Sequence, residues 1–460
     1  MRNKNKYILF LLAILSAFFF GLVSLVLVNL VGEKYVYLVS LPLAFSLCMF
    51  FMLNRQLFFL VVVLSRASLD SAFDAIKFGS FGLGAVLNAL IILIAILTVL
   101  EKPVNLDLKS RKILLAWSMF LAISFISIFY APSLLASSKV FLILLSYASM
   151  FYLGLSSVRN KADFGKWISI VVYSSIIPVL WGIYSIIFGT SGLRFNIIEG
   201  FRLQSTFNHP NSLSFYFVLI ISICFYLFKT KPEYLSPKIR TLIPLYIIIL
   251  LGLLIMTKTR AAWAACYLFF FSYAVLYERK YLFIVLTAPF VALLIPEVQE
   301  RMVDLQSGND FGSTGYERLN SYAWRKKYWL DALTWMSKTH YLTGYGLHSF
   351  LDHSTQFGMG NAFNKQKIGI NAHSVYVLLI FELGFLGLLA FLYIIYSKLK
   401  ALIGLYQYEK LLIFTVIVIL VEYLFECYSD NMLDYLNFDW YLWFVVGLTL
   451  SYVNLRKSTA

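Results

Sequence analysis

Long apolar runs of about 18–25 residues recur through most of this chain, and they constrain its fold more than any other feature. Of its 460 residues, 60% are hydrophobic and only 13% are charged. The runs are continuously apolar rather than alternating, which indicates helices rather than barrel strands. The sequence therefore predicts an all-α polytopic membrane protein with about 12–14 transmembrane helices.

We place the spans at residues 7–30, 35–53, 56–66, 81–100, 112–130, 138–156, 167–188, 211–228, 241–256, 260–277, 281–296, 372–397, 411–428 and 438–454. The first run follows a basic start like that of a signal peptide. It is too long for a signal core and no small-residue cleavage site follows, so we interpret it as a span. The 56–66 run is too short to cross alone. It is either completed by residues 65–79 or a half-helix packed against protein.

The distribution of positive charge predicts the orientation. More than half of the 38 Lys and Arg residues fall in short connections that lie on one side if the N-terminus is cytoplasmic. We therefore expect both termini in the cytoplasm, and a single transmembrane domain over residues 1–460 with an extracytoplasmic loop at 297–371. The net charge of +15 reflects this topology, and we expect no nucleic-acid partner. The four cysteines lie in or at the ends of apolar runs and predict neither disulfides nor a metal cluster.

Four arginines depart from this charge bias, because they fall at or just beyond outer helix ends: Arg66, Arg194, Arg202 and Arg260. A single such residue is most simply a snorkelling or headgroup-contacting side chain. Four on one face indicate a site for an anion at the outer leaflet, and a lipid diphosphate fits the bidentate hydrogen bonding of guanidinium groups.

The polar segment between Pro296 and His373 interrupts the apolar pattern and contains four of the five histidines. Residues 314–317 have the capping-box spacing of a helix start. Beyond them, apolar residues recur at helical spacing, so we expect an interfacial helix whose Trp and Tyr lie at the membrane surface. A simple packing lid is an equal alternative. The residues of the stripe are Leu319, Tyr322, Trp329, Leu333 and Met336.

Three polar stretches at the outer face carry the candidate chemistry: residues 202–211, residues 257–263, and residues 344–350 followed by 371–389. Their order, spacing and shared face resemble the O-antigen ligase and O-antigen polymerase superfamily of bacterial envelope glycan assembly, over roughly residues 190–400. The resemblance implies a helical bundle related to the C-type glycosyltransferase fold, with a large periplasmic loop. It also implies that Arg202 and Arg260 engage the donor diphosphate and that His373 is catalytic. Ser374 and Phe385 depart from the usual ligase pattern, which weakens a specific ligase assignment.

The chemistry of these residues agrees with that implication. A neutral histidine suits deprotonation of an acceptor hydroxyl, and fixed guanidinium groups suit a leaving diphosphate without a metal or another cofactor. His209 is a candidate acceptor-binding group or a helix cap. The carboxylate pairs Asp70/Asp74 and Asp430/Asp434 are either sugar or cation ligands or, more simply, solvated helix ends. The complete set of expected donor ligands is Arg202, Arg260, Arg194 and Arg66, and the expected acceptor or glycan contacts are His209, Asn211, Tyr345, His348 and Trp329.

We thus expect a metal-independent glycosyltransferase of the bacterial inner membrane that faces the periplasm or cell exterior. The leading hypothesis is a polymerase of polyprenyl-diphosphate-linked oligosaccharide repeat units, with the bilayer and a chain-length regulator as further partners. The nearest alternative is an O-antigen ligase that transfers the glycan to lipid A-core. A transporter or flippase is disfavoured, because charge is sparse within the spans, where Glu382, Glu422 and Glu426 are the main exceptions.

Overall fold

The computed structural model describes residues 35–75, 77–78, 81–101, 108–196, 200–303, 319–357 and 369–459. Within these ranges the chain is helical apart from two short antiparallel hairpins. The fold is therefore an all-α polytopic membrane protein, as the sequence predicts. The predicted span at 7–30 and the capping box at 314–317 lie outside the described residues.

The helices are α1 (Tyr35–Leu53), α2 (Arg55–Ser65), α3 (Asp70–Ala75), α4 (Leu83–Glu101), α5 (Leu108–Ser127), α6 (Leu134–Ser156), α7 (Lys161–Tyr173), α8 (Ile176–Phe188), α9 (Pro210–Thr230), α10 (Pro237–Met256), α11 (Arg260–Leu276), α12 (Leu282–Ala292), α13 (Pro296–Val303), α14 (Ala323–Trp335), α15 (Ser349–His353), α16 (Val375–Ile403), α17 (Lys410–Ser429) and α18 (Leu436–Thr459). The hairpins pair β1 (Lys77–Phe78) with β2 (Phe81–Gly82), and β3 (Leu193–Asn196) with β4 (Gly200–Leu203).

Eight segments of the described chain are long and apolar enough to cross a bilayer, one of them formed by α7 and α8 together. A ninth is possible if the pair 279–292 and 296–303, bent by 76°, forms one span. The predicted short run at 56–66 is α2. Its Phe58, Val62 and Val63 are buried, so it is the half-helix packed against protein of our second interpretation. The hydroxyl of Tyr441 donates to the carbonyl of Val63 and accepts from the amide of Ala67, which satisfies backbone groups where α2 ends.

Helix α9 is the most buried of the eight candidate spans, and α18 packs against it and against α6. Glycines allow the close approach of α6 and α18. A Cβ at Gly154 would lie 2.4 Å from the carbonyl oxygen of Phe444, and one at Gly447 would lie 2.3 Å from that of Phe151. Small residues replace bulk at this crossing because helices in lipid associate by close backbone packing.

Helix α16 is broken at Gly384, whose φ of 66° and ψ of −171° are not helical. The loop before α15 fills the break. The amides of Phe385 and Leu386 donate to the carbonyls of Tyr341 and Leu342, at 2.9 and 3.3 Å. The backbone amides that lose their helical partners at the break are therefore hydrogen-bonded to other protein groups. A segment that spans a membrane requires this, because lipid offers no partners. The break separates Val375–Leu383, which begins next to His373, from a second segment long enough to span on its own.

Aromatic packing attaches the loop to this first segment of α16. Trp335 on α14, Phe350 and Phe357 all contact Phe381, with ring centroids 5.0 to 5.9 Å apart. Of the predicted stripe, Trp329 and Met336 are buried, and Leu319 and Leu333 pack at the edge of this cluster. Only Trp329 and Leu333 lie within α14, because the helix begins at Ala323 and ends at Trp335. Tyr322 is exposed. The loop helix thus fixes the approach of the chain to His373.

Candidate functional site

The β3–β4 hairpin places two of the predicted arginines side by side. Arg194 and Arg202 are cross-strand partners in its register, as are Phe195 and Phe201. Because side chains alternate along a strand, the arginine pair and the phenylalanine pair lie on opposite faces. Arg202 is 9% exposed and faces the bundle, whereas Arg194 and both phenylalanines are exposed. The hairpin therefore presents a cationic face toward the protein.

Arg202 is held by three neighbouring segments. Its Nε donates to the carbonyl of Thr257 at 2.9 Å, and its Nη2 donates to Oγ1 of Thr259 at 3.0 Å and to Oδ1 of Asn211 at 2.6 Å. Thr257 ends α10, Thr259 precedes α11 and Asn211 opens α9. The guanidinium group is therefore fixed in position before any ligand arrives.

Asn211 connects this arginine to a buried carboxylate. While its Oδ1 accepts from Arg202, its Nδ2 donates to Oδ2 of Asp430 in a short hydrogen bond. Asp430 ends α17 and is 3% exposed. Its Oδ1 accepts from the hydroxyl of Tyr435 and from the amide of Asn431, both at 2.9 Å. Our simpler interpretation of Asp430 as a solvated helix end is wrong.

His373 lies at the far end of this network. Its Nδ1 stands 4.0 Å from Oδ1 of Asp430, and its side chain remains 33% exposed. Its φ of 50° is in the left-handed region, which is strained for a residue other than glycine. Hydrogen bonds on both sides hold it there, from Nε1 of Trp329 to the carbonyl of Ala372 at 2.6 Å and from the amide of Ser374 to Oδ1 of Asn431 at 3.1 Å.

The charges of this network are mutually dependent. Burial opposes ionisation of Asp430, but the nearby imidazole of His373, together with the charge of Arg325, outweighs it and holds the pKa of the Asp430 carboxyl well below its usual range. Burial lowers the pKa of His209 to about 4, and the nearby Arg202 and Arg194 add to the effect. His209 is therefore neutral near pH 7, and His373 and Asp430 lie within its electrostatic reach.

Asp434 lies beside this network and accepts a hydrogen bond from Nδ2 of Asn371 at 3.1 Å. Its side chain is partly exposed to solvent, and the surrounding protein removes part of its hydration. These surroundings and the negative charge of Asp430 raise the pKa of the Asp434 carboxyl to about 6.

Sequence reasoning missed the place of Arg325, a residue of α14 that is not part of the predicted apolar stripe. Its guanidinium lies 5.5 Å from the ring of Trp324, and that ring packs edge-on against His373 at 5.4 Å. Its Nε is buried and has no hydrogen-bond partner in the described part of the chain. The signal was the run Arg325–Lys327 on a helix predicted to lie over the site.

Arg260 and Arg66 have protein partners that the sequence interpretation did not foresee. Arg260 donates to the carbonyl of Arg301 at 2.8 Å and, in a short hydrogen bond, to the hydroxyl of Ser321, so it attaches the loop beside the site. Arg66 is 3% exposed and pairs with Asp70 at 3.2 Å. We expected Arg66 to be a surface cation at a helix end, and its burial shows that this expectation is wrong. Asp70 is likewise buried rather than solvated, and it accepts from the amide of Asn208 at 3.2 Å.

The expected acceptor contacts separate into two groups. His209 and Asn211 join the network, and His209 is also the cap of α9, since its Nδ1 accepts from the amide of Asn211 at 3.1 Å. Trp329 is buried beneath His373, and Tyr345 stacks on His340 with centroids 4.1 Å apart within the loop cluster. His348 lies elsewhere, over the start of α6, where it lines a cavity.

The described residues contain no group of three His, Cys, Asp or Glu side chains placed to hold a metal ion. The side chain of Asp74 lies outside them. What the site does present is a row of alternating cationic, polar and anionic groups that ends in a partly exposed imidazole.

Comparison with known proteins agrees with the sequence resemblance. A model of a family described as O-antigen ligase matches residues 245–392, from within α10 to just beyond the Gly384 break of α16. This range includes Thr259, Arg260 and His373, and it excludes Arg202 and Asp430. No curated protein matches the chain with significant similarity. Members of the matched family are glycan-transferring enzymes. Residues 245–392 of this multi-pass membrane protein are thus similar to the O-antigen ligase family, which supports the resemblance to the O-antigen ligase and polymerase superfamily.

Proposed function

We propose that the protein polymerises polyprenyl-diphosphate-linked oligosaccharide repeat units, for O-antigen, capsule or exopolysaccharide, at the periplasmic face of the bacterial inner membrane. The observation that carries the proposal is the chain of hydrogen bonds from Arg202 through Asn211 to Asp430, whose carboxylate lies 4.0 Å from the imidazole of His373. It links a fixed cation, suited to a leaving diphosphate, with an imidazole suited to an attacking hydroxyl. The family match of residues 245–392 supports the same class of reaction.

The donor diphosphate binds against the arginine face of the hairpin. Arg202 offers a preorganised guanidinium and Arg194 an exposed one beside it. Charge builds up on the diphosphate as the bond from its oxygen to the sugar anomeric carbon breaks, and fixed cations stabilise that charge without rearranging. Arg260 acts beside them by holding the loop, and Arg66 acts through Asp70 on residues 206–208.

The acceptor hydroxyl attacks the anomeric carbon while His373 takes its proton. Nδ1 of His373 faces Asp430, which leaves Nε2 as the nitrogen for the acceptor. The carboxylate of Asp430 favours the imidazolium that forms, as an orienting carboxylate does in other histidine-based sites. The proton then passes to water or to the released diphosphate, so the step needs no redox partner and no metal.

The matching family is described as O-antigen ligase, and this favours one second candidate. A ligase uses the same donor and transfers the glycan to lipid A-core. The two activities differ in the acceptor, so they are separated by incubating purified protein with lipid-linked repeat unit alone. A ladder of products supports the polymerase, whereas product that appears only on addition of lipid A-core supports the ligase.

The catalytic assignment is tested with His373→Ala and Arg202→Ala. His373→Ala is expected to retain donor binding and to lower turnover by about 10²–10⁴, the usual effect of a lost general base. Arg202→Ala is expected to weaken donor binding about 10- to 100-fold. Glycan transfer by His373→Ala at the wild-type rate would refute the mechanism. Activity lost in EDTA and restored by magnesium would refute its metal independence.

A further inference from the structure

Arg325 on α14 carries a positive charge beside the site, and the mechanism proposed above gives it no task. Its guanidinium lies 5.5 Å from the ring of Trp324, within the range of a cation–π contact. Its Nε is buried and has no hydrogen-bond partner among the described residues. Buried donors without a partner are uncommon in folded proteins. The charge of Arg325 therefore needs an explanation that hydrogen bonding does not supply.

Trp324 connects this charge to His373. The two rings meet edge to face, with centroids 5.4 Å apart and planes at 89°. Because Trp324 contacts both groups, the guanidinium lies no more than about 11 Å from the imidazole. The side chain of Asn320 accepts from two amides at the start of α14, at 2.9 and 3.1 Å. The loop helix thus holds Trp324 and Arg325 in a fixed position beside His373.

A negative charge acts on the same imidazole from α17. The carboxylate of Asp430 stands 4.0 Å from Nδ1 of His373, and an anion at that distance favours the protonated ring. Arg325 lies within electrostatic reach of this carboxylate. The oxygens of Asp430 already accept hydrogen bonds from three other groups. The charge of Arg325 is therefore near His373 and Asp430 without being paired to the carboxylate.

The other charges near the site do not replace Arg325. The charged and titratable groups within electrostatic reach of Asp430, His373 or His209 are Arg325 on α14, Glu426 on α17, Asp434 and Tyr435 beyond α17, and His209, Arg202 and Arg194 ahead of α9. His209 is neutral near pH 7. In the proposed function, Arg202 and Arg194 face the donor diphosphate, which offsets their charge. Among these groups, Arg325 is the cation that is left to oppose Asp430.

We propose that Arg325 is a positioning residue for the transfer, whose charge, held beside His373 by Trp324, keeps the imidazole unprotonated until it takes the proton of the acceptor hydroxyl. The inference rests on the proposed function, in which His373 is the general base. A base must be free of its proton when the acceptor arrives, and the carboxylate of Asp430 alone favours the opposite state. Arg325 offsets that effect without touching the reacting atoms.

Titration of His373 tests this role without requiring transfer. The chain has five histidines, so NMR spectra of the full-length protein with isotope-labelled histidine contain few ring signals, and His373→Gln identifies the one that matters. Removing a positive charge makes protonation of a neighbour easier. Arg325→Gln should therefore raise the pH at which His373 is half protonated by about 0.3–1 unit, the effect of a unit charge about 11 Å away between water and an effective dielectric constant of about 20. A midpoint within about 0.1 unit of the wild type would overturn the proposal.

Matched variants separate charge from packing. Arg325→Lys keeps a cation beside Trp324 and should titrate like the wild type. Arg325→Met keeps an apolar stem there without the charge, so it should shift the midpoint as Arg325→Gln does, and it replaces that variant if Arg325→Gln does not fold. Lys338→Gln removes an exposed charge just beyond the end of α14, which lies about 15 Å from Arg325 along the helix axis and outside the screening length of about 8 Å. It should change nothing. An equal shift in Lys338→Gln or Arg325→Lys would reject the role.

The pH dependence of turnover connects the charge to transfer. With lipid-linked repeat unit, Arg325→Gln should be about 2- to 10-fold slower than the wild type at acidic pH, where the rate rises with pH, and within about twofold of it at alkaline pH. Asp434 titrates near pH 6 in both proteins, so the comparison cancels its contribution. An equal loss at every pH would assign Arg325 to packing. If the wild type transfers nothing, the proposed function fails, while the titration of His373 still decides whether Arg325 controls its protonation.

Discussion

Replacing Asp430 by asparagine tests whether the network acts in catalysis or only in packing. The substitution keeps the shape of the side chain and removes its charge. In the wild type, the carboxylate accepts hydrogen bonds from Asn211, Tyr435 and the amide of Asn431, and it stands 4.0 Å from His373. The variant therefore loses the anion that faces the imidazolium formed during transfer.

The size of the effect follows from the distance. Two unit charges 4.0 Å apart interact by about 4 kcal/mol at an effective dielectric constant of about 20, and by about 1 kcal/mol in water. His373 is partly exposed and Asp430 is buried, so the loss lies between these limits, at about 2–3 kcal/mol. This corresponds to a fall in turnover of roughly 30- to 150-fold. Donor binding should change less, because Arg202 keeps its contacts with Thr257 and Thr259.

The assay is a single-turnover measurement of glycan transfer from lipid-linked donor, alongside donor affinity and thermal unfolding of the same preparations. Asp163→Asn is the control, since Asp163 is a carboxylate on α7 that contacts the amide of Arg159 rather than the site. If Asp430→Asn transfers within twofold of the wild-type rate, the carboxylate does not support His373 and the proposed mechanism loses its central contact. A fall in rate that follows the loss of folded protein would assign Asp430 to packing alone.

Four other changes probe separate parts of the structure. Arg202→Lys should recover only part of the donor binding that Arg202→Ala loses in titrations of undecaprenyl diphosphate, because an ammonium cannot hold the fork of contacts now made to Thr257 and Asn211. His209→Asn should keep the α9 cap and resist acid better than the wild type. With a folded pKa of about 4, His209 binds fewer protons folded than unfolded, so wild-type stability falls as the pH drops from about 6.5 to 4, a loss visible as a lower Tm than the variant's. Gly384→Ala should destabilise the protein by several kcal/mol in thermal or denaturant unfolding, because its Cβ would lie 2.2 Å from the backbone of Leu342. Gly252→Ala on α10, with open space around it, should not. A cysteine in place of exposed Thr334 on α14 should react with an impermeant maleimide in spheroplasts, and labelling only after lysis would reverse the proposed orientation.

The positions of the membrane helices were predictable because hydrophobic length is a local property of the sequence. The run at 138–156 is α6 and the run at 411–428 is α17, each within a few residues. Breaks inside the runs were not visible. The run at 372–397 contains the Gly384 break, since the groups that repair it belong to Tyr341 and Leu342, which are remote in sequence. A continuously apolar stretch carries no record of such a remote partner.

The site was predictable in part for a similar reason. Polar residues in outer loops point to a site, and the structure places three of those selected, Arg202, Arg194 and His373, within electrostatic reach of His209. The position of an arginine at a helix end was a less reliable predictor that it binds an anion. Arg66 has Asp70 one turn later, and this spacing was a local signal that the arginine has a protein partner. A packing lid was one of two equal expectations for the loop helix. Neither placed Arg325 near His373, because its approach through the ring of Trp324 is determined only by tertiary packing.

The residue that joins the two halves of the site, Asn211, is neutral. The sequence analysis expected it as an acceptor contact, and the pattern of charges could not show that it links Arg202 to Asp430. Asn211 accepts from Arg202 through Oδ1 and donates to Asp430 through Nδ2. Only an amide offers an acceptor and a pair of donors on one planar group, so it can pair with a cation on one side and an anion on the other. An aspartate at this position would set two buried carboxylates against each other, and an alanine would leave both charges without this partner. The amide keeps the cation and the anion apart as separate charges. In the proposed mechanism, Arg202 therefore keeps its positive charge for the diphosphate, and Asp430 keeps its negative charge for His373.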